Sequence, residues 1–198
     1  MVRQTPHVQP VIVYLPPTEE IYFATLAPDF ELVLQEGADL GARLDNALTH
    51  YLRRGYERAV IMDSDSPTLP AAHLTAAFAA LDEADVVLGP CDDGGYYLIG
   101  LKRPTPQLLR EVRMSTPTVT TDTLALAAAA GLQVKLLPVW YDIDNVTDLS
   151  RLTTELVGAT DGLARHTRAF FASNREVLTL VNEVNDANAK NRSDYSGA

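Results

Sequence analysis

Asp63 and Asp65 stand one residue apart, directly after the apolar run Ala59-Val60-Ile61-Met62. Such a run reads as the buried end of a parallel strand, apolar on both faces. Two carboxylates where that strand leaves the sheet suit a divalent cation, whose preferred ligands are hard oxygens. They also stand in the crevice beyond the strand ends, where open α/β sheets bind ligands. A second acidic group, Asp142-Ile143-Asp144, follows the apolar segment Val134 to Val139. Ends of adjacent parallel strands lie within about 5 Å of one another, so groups at two strand ends can share one ion. An ion held there would in turn hold the phosphates of a nucleotide. Each group also has a plain structural role open to it. Asp65 can cap the next helix and stiffen the Ser66-Pro67 turn, and the second group can be a turn before a cap at Asn145.

Two further segments carry reactive or binding side chains. Asp92-Asp93-Gly94-Gly95-Tyr96-Tyr97 suits a tight hairpin. Its glycines also permit close approach of a backbone to a ligand, and one tyrosine can stack on a sugar or base while the other faces the core. Asp92 and Asp93 are the candidate catalytic bases; Gly94, Gly95 and Tyr96 are candidate substrate contacts. Gln35-Glu36-Gly37-Ala38-Asp39-Leu40-Gly41-Ala42-Arg43 is the other segment. Asp39 serves as a helix N-cap or a ligand contact. Arg43 is either its partner four residues on or a phosphate or carboxylate binder one turn into the helix. Gln35, Asp39 and Arg43 are therefore also candidate substrate contacts. His7, His50, His73 and His166 show no ligand spacing, and Cys91 has no histidine beside it to activate it.

Positioning these residues requires alternating strands and helices. Strands are expected at Val11–Leu15, Phe30–Leu34, Ala59–Met62, Val86–Leu88, Tyr96–Ile99 and Val134–Val139. Helices are expected at Asp39–Arg54, stopped by Gly55, at Ala71–Leu81, and from Thr121 or Asp122 to Gly131. Asn145-Val146-Thr147-Asp148 has the form of a helix start. A long amphipathic helix is expected over Gly162–Val184, and a polar, disordered tail over 188–198. The pattern predicts an α/β domain with a mostly parallel mixed sheet sandwiched by helices, over residues 1–171, followed by a helical extension over 172–187.

The chain has 198 residues, a formal net charge of -10 and one cysteine. That length fits one domain with a sizeable core. The acidic balance argues against a nucleic-acid or anionic-membrane surface, and the lone cysteine suits a reducing compartment. The N-terminal residues lack the apolar core of a signal peptide, and no apolar run is long enough to span a membrane. The expectation is a cytoplasmic protein.

Taken in order, four motifs resemble one family: Asp39-Leu40-Gly41-Ala42-Arg43; the strand into Ser64-Asp65-Ser66-Pro67-Thr68-Leu69; Leu88-Gly89-Pro90 through Asp92 to Gly100; and Tyr141-Asp142-Ile143-Asp144 with Asp148-Leu149. The family is the GT-A-type glycosyltransferase group labelled DUF2064, more distantly similar to nucleotidyltransferases that make molybdenum cofactor dinucleotides. The resemblance runs from about Val11 to Phe171, with His166-Thr167-Arg168 near its end. It implies a nucleotide-diphospho-sugar-transferase fold of Rossmann-like form. It also implies a divalent cation, Mg²⁺ or Mn²⁺, held by Asp65 and Asp144, and a nucleotide or nucleotide sugar as partner to a small-molecule acceptor. Asp63 departs from the family pattern, which has glycine there, and becomes a third candidate ligand. The family also opens with a strand and a basic, glycine-bearing loop that residues 1–36 do not supply, the first glycine being Gly37. A sheet lacking that strand exposes a neighbour's edge. The apolar stripe of Gly162–Val184 is expected to cover the sheet or to join a second subunit as a homo-oligomer. The resemblance leaves open a metal-dependent glycosyltransferase, a nucleotidyltransferase acting on a phosphorylated small molecule, and a non-catalytic descendant serving as a binding or partner subunit.

Overall fold

The computed structural model describes residues 1–159, 162–179 and 181. The chain forms two compact units. The first comprises Met1–Asp63 and Pro70–Trp140; the second joins Ser64–Leu69 to the chain from Tyr141 onward.

The first unit is α/β. Its strands are β1 (Val11–Tyr14), β2 (Glu31–Leu34), β3 (Ala59–Met62), β4 (Val86–Pro90), β5 (Tyr96–Leu101) and β6 (Val134–Leu136), and its helices are α1 (Glu20–Leu26), α2 (Leu40–Arg53), α3 (Ala71–Glu83), α4 (Gln107–Arg110) and α5 (Val119–Ala129). β1 and β2 pair in parallel, with Val11 opposite Glu31. The other four make a mixed sheet in the order β3-β5-β4-β6. β3 and β4 both run antiparallel to β5, while β4 and β6 are parallel. Three of its strands thus share one direction, and the hairpin from β4 to β5 reverses the fourth. Ile99 on β5 stands between Ile61 of β3 and Leu88 of β4. Val86, Leu88, Ile99 and Leu101 form the centre of the core with Leu108, Leu109 and Ala127. Val11, Val33 and Ile61 pack against the same core, so both sheets share it although no strand pairing joins them among the described residues.

The helices follow from local signals. Asp39 caps α2 by accepting the Ala42 N–H at 2.8 Å, and α2 buries Ala42, Asp45, Leu48 and Tyr51 on one face. It ends before Gly55, whose φ of +95° favours glycine. α5 buries Val119, Thr123 and Ala127, four residues apart each time, on one stripe. Sequence periodicity does not announce α1: Ile21 is 80% exposed there, and no side chain caps its start. Strand β6 ends at Leu136 rather than at Val139, although Leu137 N–H still bonds Leu88 O and Trp140 N–H bonds Pro90 O.

The second unit contains α6 (Val146–Gly158) and α7 (Arg165–Ser173). Leu152 and Leu156 of α6 pack with Phe171 of α7, and Leu163, Val177 and Leu178 join them. The single helix expected over Gly162–Val184 is instead interrupted. α7 closes at Asn174, whose N–H bonds to Phe170 O at 2.9 Å and whose side-chain amide also donates to that oxygen, at 2.8 Å. An asparagine that bonds back onto the preceding turn ends a helix locally, and a 3.6-residue periodicity alone does not reveal it. A further helical stretch covers 175–179. The expected continuation to Val184, most of the 172–187 extension beyond that stretch, and the polar tail lie outside the described residues.

Candidate functional site

The second unit brings together the acid-bearing segments that the sequence separates most widely. Ile143 N–H donates to Asp65 O at 3.1 Å, and Ser66 Oγ donates to Tyr141 O at 3.0 Å. The loop 64–69 and the segment 141–144 therefore run side by side, about 75 residues apart in the chain. Asp65 and Asp144 are exposed, and Asp142 is half-buried. Carboxylate oxygens of Asp142 and Asp144 lie within 4.8 Å of one another. Two oxygens on one cation at 2.0–2.6 Å are separated by at most about 5 Å, so this pair meets that limit. The donor set is all hard oxygen, which fits Mg²⁺ or Mn²⁺ and disfavours softer metals. Asp142, which sequence reasoning noted but did not count as a ligand, is the carboxylate that lies near Asp144, whereas Asp65 meets this segment through its backbone carbonyl. The signal available for Asp142 was its place two residues before Asp144.

Thr68, Tyr141 and Glu155 form a partly buried polar network linking the same two segments. Thr68 Oγ1 donates to Glu155 Oε2 at 3.0 Å and stands 3.2 Å from the Tyr141 hydroxyl; Tyr141 donates to the same Glu155 oxygen. Burial, and next the bond to Glu155, push the Tyr141 phenol up to about 12. Arg151 lies over the Tyr141 ring, 3.8 Å from its centre. The start of α6 is closed by a capping box. Asn145 Oδ1 accepts the N–H groups of Thr147 and Asp148, while Asp148 accepts those of Asn145 at 3.1 Å and Asp144 at 3.2 Å. The capping role read from the sequence at Asn145 and the acidic role at Asp144 therefore coexist.

In the first unit, Asp63 ends β3 with its N–H on Tyr97 O at 2.9 Å. A carboxylate oxygen of Asp63 lies within 4.8 Å of the Cys91 sulfur. Asp92 and Asp93 are exposed at the tip of the β4–β5 hairpin, and Asp93 Oδ1 accepts the Gly95 N–H at 2.8 Å. Gly94 has a φ of +96°, and a Cβ there would overlap the Pro117 carbonyl. Its backbone thus packs against the segment leading into α5, and Gly95 O accepts from Thr120 Oγ1 at 2.5 Å. The tyrosines after it sit on opposite faces of β5, and both are occupied. Tyr96 packs on the core with its hydroxyl 3.7 Å from Met114 Sδ, and burial raises its pKa. Tyr97 donates to Pro138 O at 3.0 Å and stands 3.1 Å from His73 Nδ1. Burial pushes the Tyr97 phenol up to about 12 and lowers the His73 pKa.

Gln35 follows β2 and bonds to β1, while Asp39 and Arg43 stand at the start of α2. Gln35 Nε2 donates to Val13 O at 3.0 Å. Asp39 is the helix cap, and Arg43 Nε donates to Gly37 O at 3.3 Å. Gly37 lets its loop pass close to the Ala42–Arg43 backbone, and Gly41 lets α2 approach the Leu109 carbonyl, which a Cβ there would overlap. This group lies in a different unit from Asp65 and Asp144.

No helix among the described residues is long and apolar enough to cross a membrane. No curated protein matches the chain. Among solved structures, a candidate nucleotide-diphospho-sugar transferase from Desulfovibrio desulfuricans G20 is 30% identical, with a TM-score of 0.75 over 86% of this chain and 75% of its own. The molybdopterin-guanine dinucleotide biosynthesis protein A of Archaeoglobus fulgidus is 16% identical, with a TM-score of 0.41 over 79% of this chain and 73% of its own. A family profile described as an uncharacterized protein conserved in bacteria, DUF2064, matches residues 1–116. With more than half of its length matched and a nucleotide-diphospho-sugar-transferase fold, this chain belongs to the DUF2064 family.

Proposed function

We propose that the protein is a cation-dependent transferase that moves a sugar from a nucleotide diphosphate sugar to an acceptor hydroxyl. The observation that carries this reading is the pairing of loop 64–69, which bears Asp65, with segment 141–144, which bears Asp142 and Asp144. The fold supports it, since the solved relative described as a nucleotide-diphospho-sugar transferase covers most of the chain. A bound Mg²⁺ or Mn²⁺ would supply positive charge to the diphosphate leaving group. Asp65, Asp142 and Asp144 would hold it through carboxylate oxygens and so orient the donor. In the transfer the acceptor oxygen forms a bond to the sugar's anomeric carbon. The bond from that carbon to the diphosphate oxygen breaks, and the diphosphate leaves with the electron pair. The transfer also needs a general base to take the acceptor's proton, for which Asp92 and Asp93 are the candidates by sequence position. Arg43, Gln35 and Asp39 stand as candidate contacts to donor or acceptor.

Thermal unfolding with nucleoside diphosphates and nucleotide sugars, with and without Mn²⁺, tests the reading. The expected outcome is a rise in Tm that needs both nucleotide and metal, as binding to the native state alone requires. Asp65→Ala should abolish that rise while moving the ligand-free stability by no more than about 0.5 kcal/mol, because the side chain is exposed. A shift by triphosphates alone would favour nucleotidyl transfer, and no shift with any nucleotide would end the catalytic reading.

A further inference from the structure

One face of α6 touches both acid-bearing segments. Asp148, near its first turn, accepts the backbone N–H groups of Asp144 and Asn145. Glu155 is seven residues further on and therefore on the same face, two turns away. Its carboxylate accepts from Thr68, on the Asp65 loop, and from Tyr141, one residue before Asp142. Thr68 is 2% exposed and Tyr141 3%, so these hydroxyls have little access to water and depend on Glu155 and each other. Glu155 itself is half-buried and turns its carboxylate onto both hydroxyls.

We infer that Glu155 is a positioning residue: through the hydroxyls of Thr68 and Tyr141 it clamps the Asp65 loop to the Asp142–Asp144 segment, holding their carboxylates in register for one cation. The inference rests on the cation site of the proposed function. It adds that the site's affinity is set from behind, by a helix that supplies no ligand. Loosening such a supporting shell typically weakens metal binding by about 10- to 100-fold.

The test is Mn²⁺ binding to the full-length protein, read from the electron paramagnetic resonance signal of free Mn²⁺, with no nucleotide and no turnover. The wild type should bind, and Asp144→Asn should abolish binding. Glu155→Gln, Tyr141→Phe and Thr68→Val should each weaken it by about tenfold or more. Combining Tyr141→Phe with Glu155→Gln should weaken it little further, because both break the same clamp. Tyr141→Phe keeps volume and charge, so it serves if Glu155→Gln fails to fold by circular dichroism. If the wild type binds no Mn²⁺, the cation reading falls and the clamp with it. If Asp144→Asn abolishes binding while the three clamp variants bind as the wild type does, the clamp alone is overturned. A loss confined to Glu155→Gln, with Phe and Val variants normal, would mean that its charge matters and its grip does not, which also overturns the inference.

Discussion

Tyr97 illustrates how much single residues owe to their neighbours. Its ring lies where a side chain on Gly89 would be, since a Cβ at Gly89 would overlap the ring and hydroxyl. Gly89 is thus retained for space, and a larger residue there would force the ring out of its place between His73 and Pro138. The Tyr97 phenol ionises near 12 in the fold and about 10 in the unfolded chain. A raised acid pKa means the unfolded state loses its proton first. The stability this group contributes is whole below about pH 10 and is lost as pH rises towards 12. Tyr51 and Tyr141 shift in the same direction, each to about 12. Urea midpoints should therefore fall between pH 10 and 12, and the fall should be shallower in Tyr97→Phe. Parallel curves for the two proteins would show that Tyr97 ionises alike in both states.

At the scale of elements, α6 does the most with the least sequence. Asn145 and Asp148 close its start reciprocally, and both partners of that box are read directly from Asn145-Val146-Thr147-Asp148. Removing the cap in Asn145→Ala should cost about 1 kcal/mol in urea unfolding. An unchanged midpoint would mean that solvent satisfies those amides equally well. The β4–β5 hairpin was as legible, since two glycines between apolar runs mark a reversal. What lies on its two faces was not: Tyr96 against Met114 and Tyr97 against His73 are tertiary contacts. Short helices such as α4, four residues long, leave no periodic signal because one turn fits any pattern.

The whole molecule shows an uneven core. β4 and β5 are almost wholly buried, whereas β1, β2 and β3 consist mostly of half-buried residues. β1 pairs only with β2, and β3 only with β5, so each has an edge without a strand partner among the described residues. Local opening is easiest where burial is least. Amide hydrogen exchange should accordingly be slowest at Leu88, Ile99 and Leu101, and clearly faster through Val11–Tyr14. Equal protection across both sheets would show that the first unit opens as one body.

The order of the six strands and of helices α2, α3, α5 and α6, the caps at Asp39 and Asn145, the hairpin after Pro90 and the family resemblance were all available from residue type and spacing. These depend on local backbone chemistry and on periodic burial, which a linear string records. Only the tertiary structure decided that Tyr96 and Tyr97 are both occupied, that the helix after Ala164 stops at Asn174, and that Asp65 lies beside Ile143. It also revealed Glu155 between Thr68 and Tyr141. The reason is physical: a hydrogen bond between residues 87 apart forms only after burial and chain closure have placed them together, and nothing in the neighbours of either residue encodes the other.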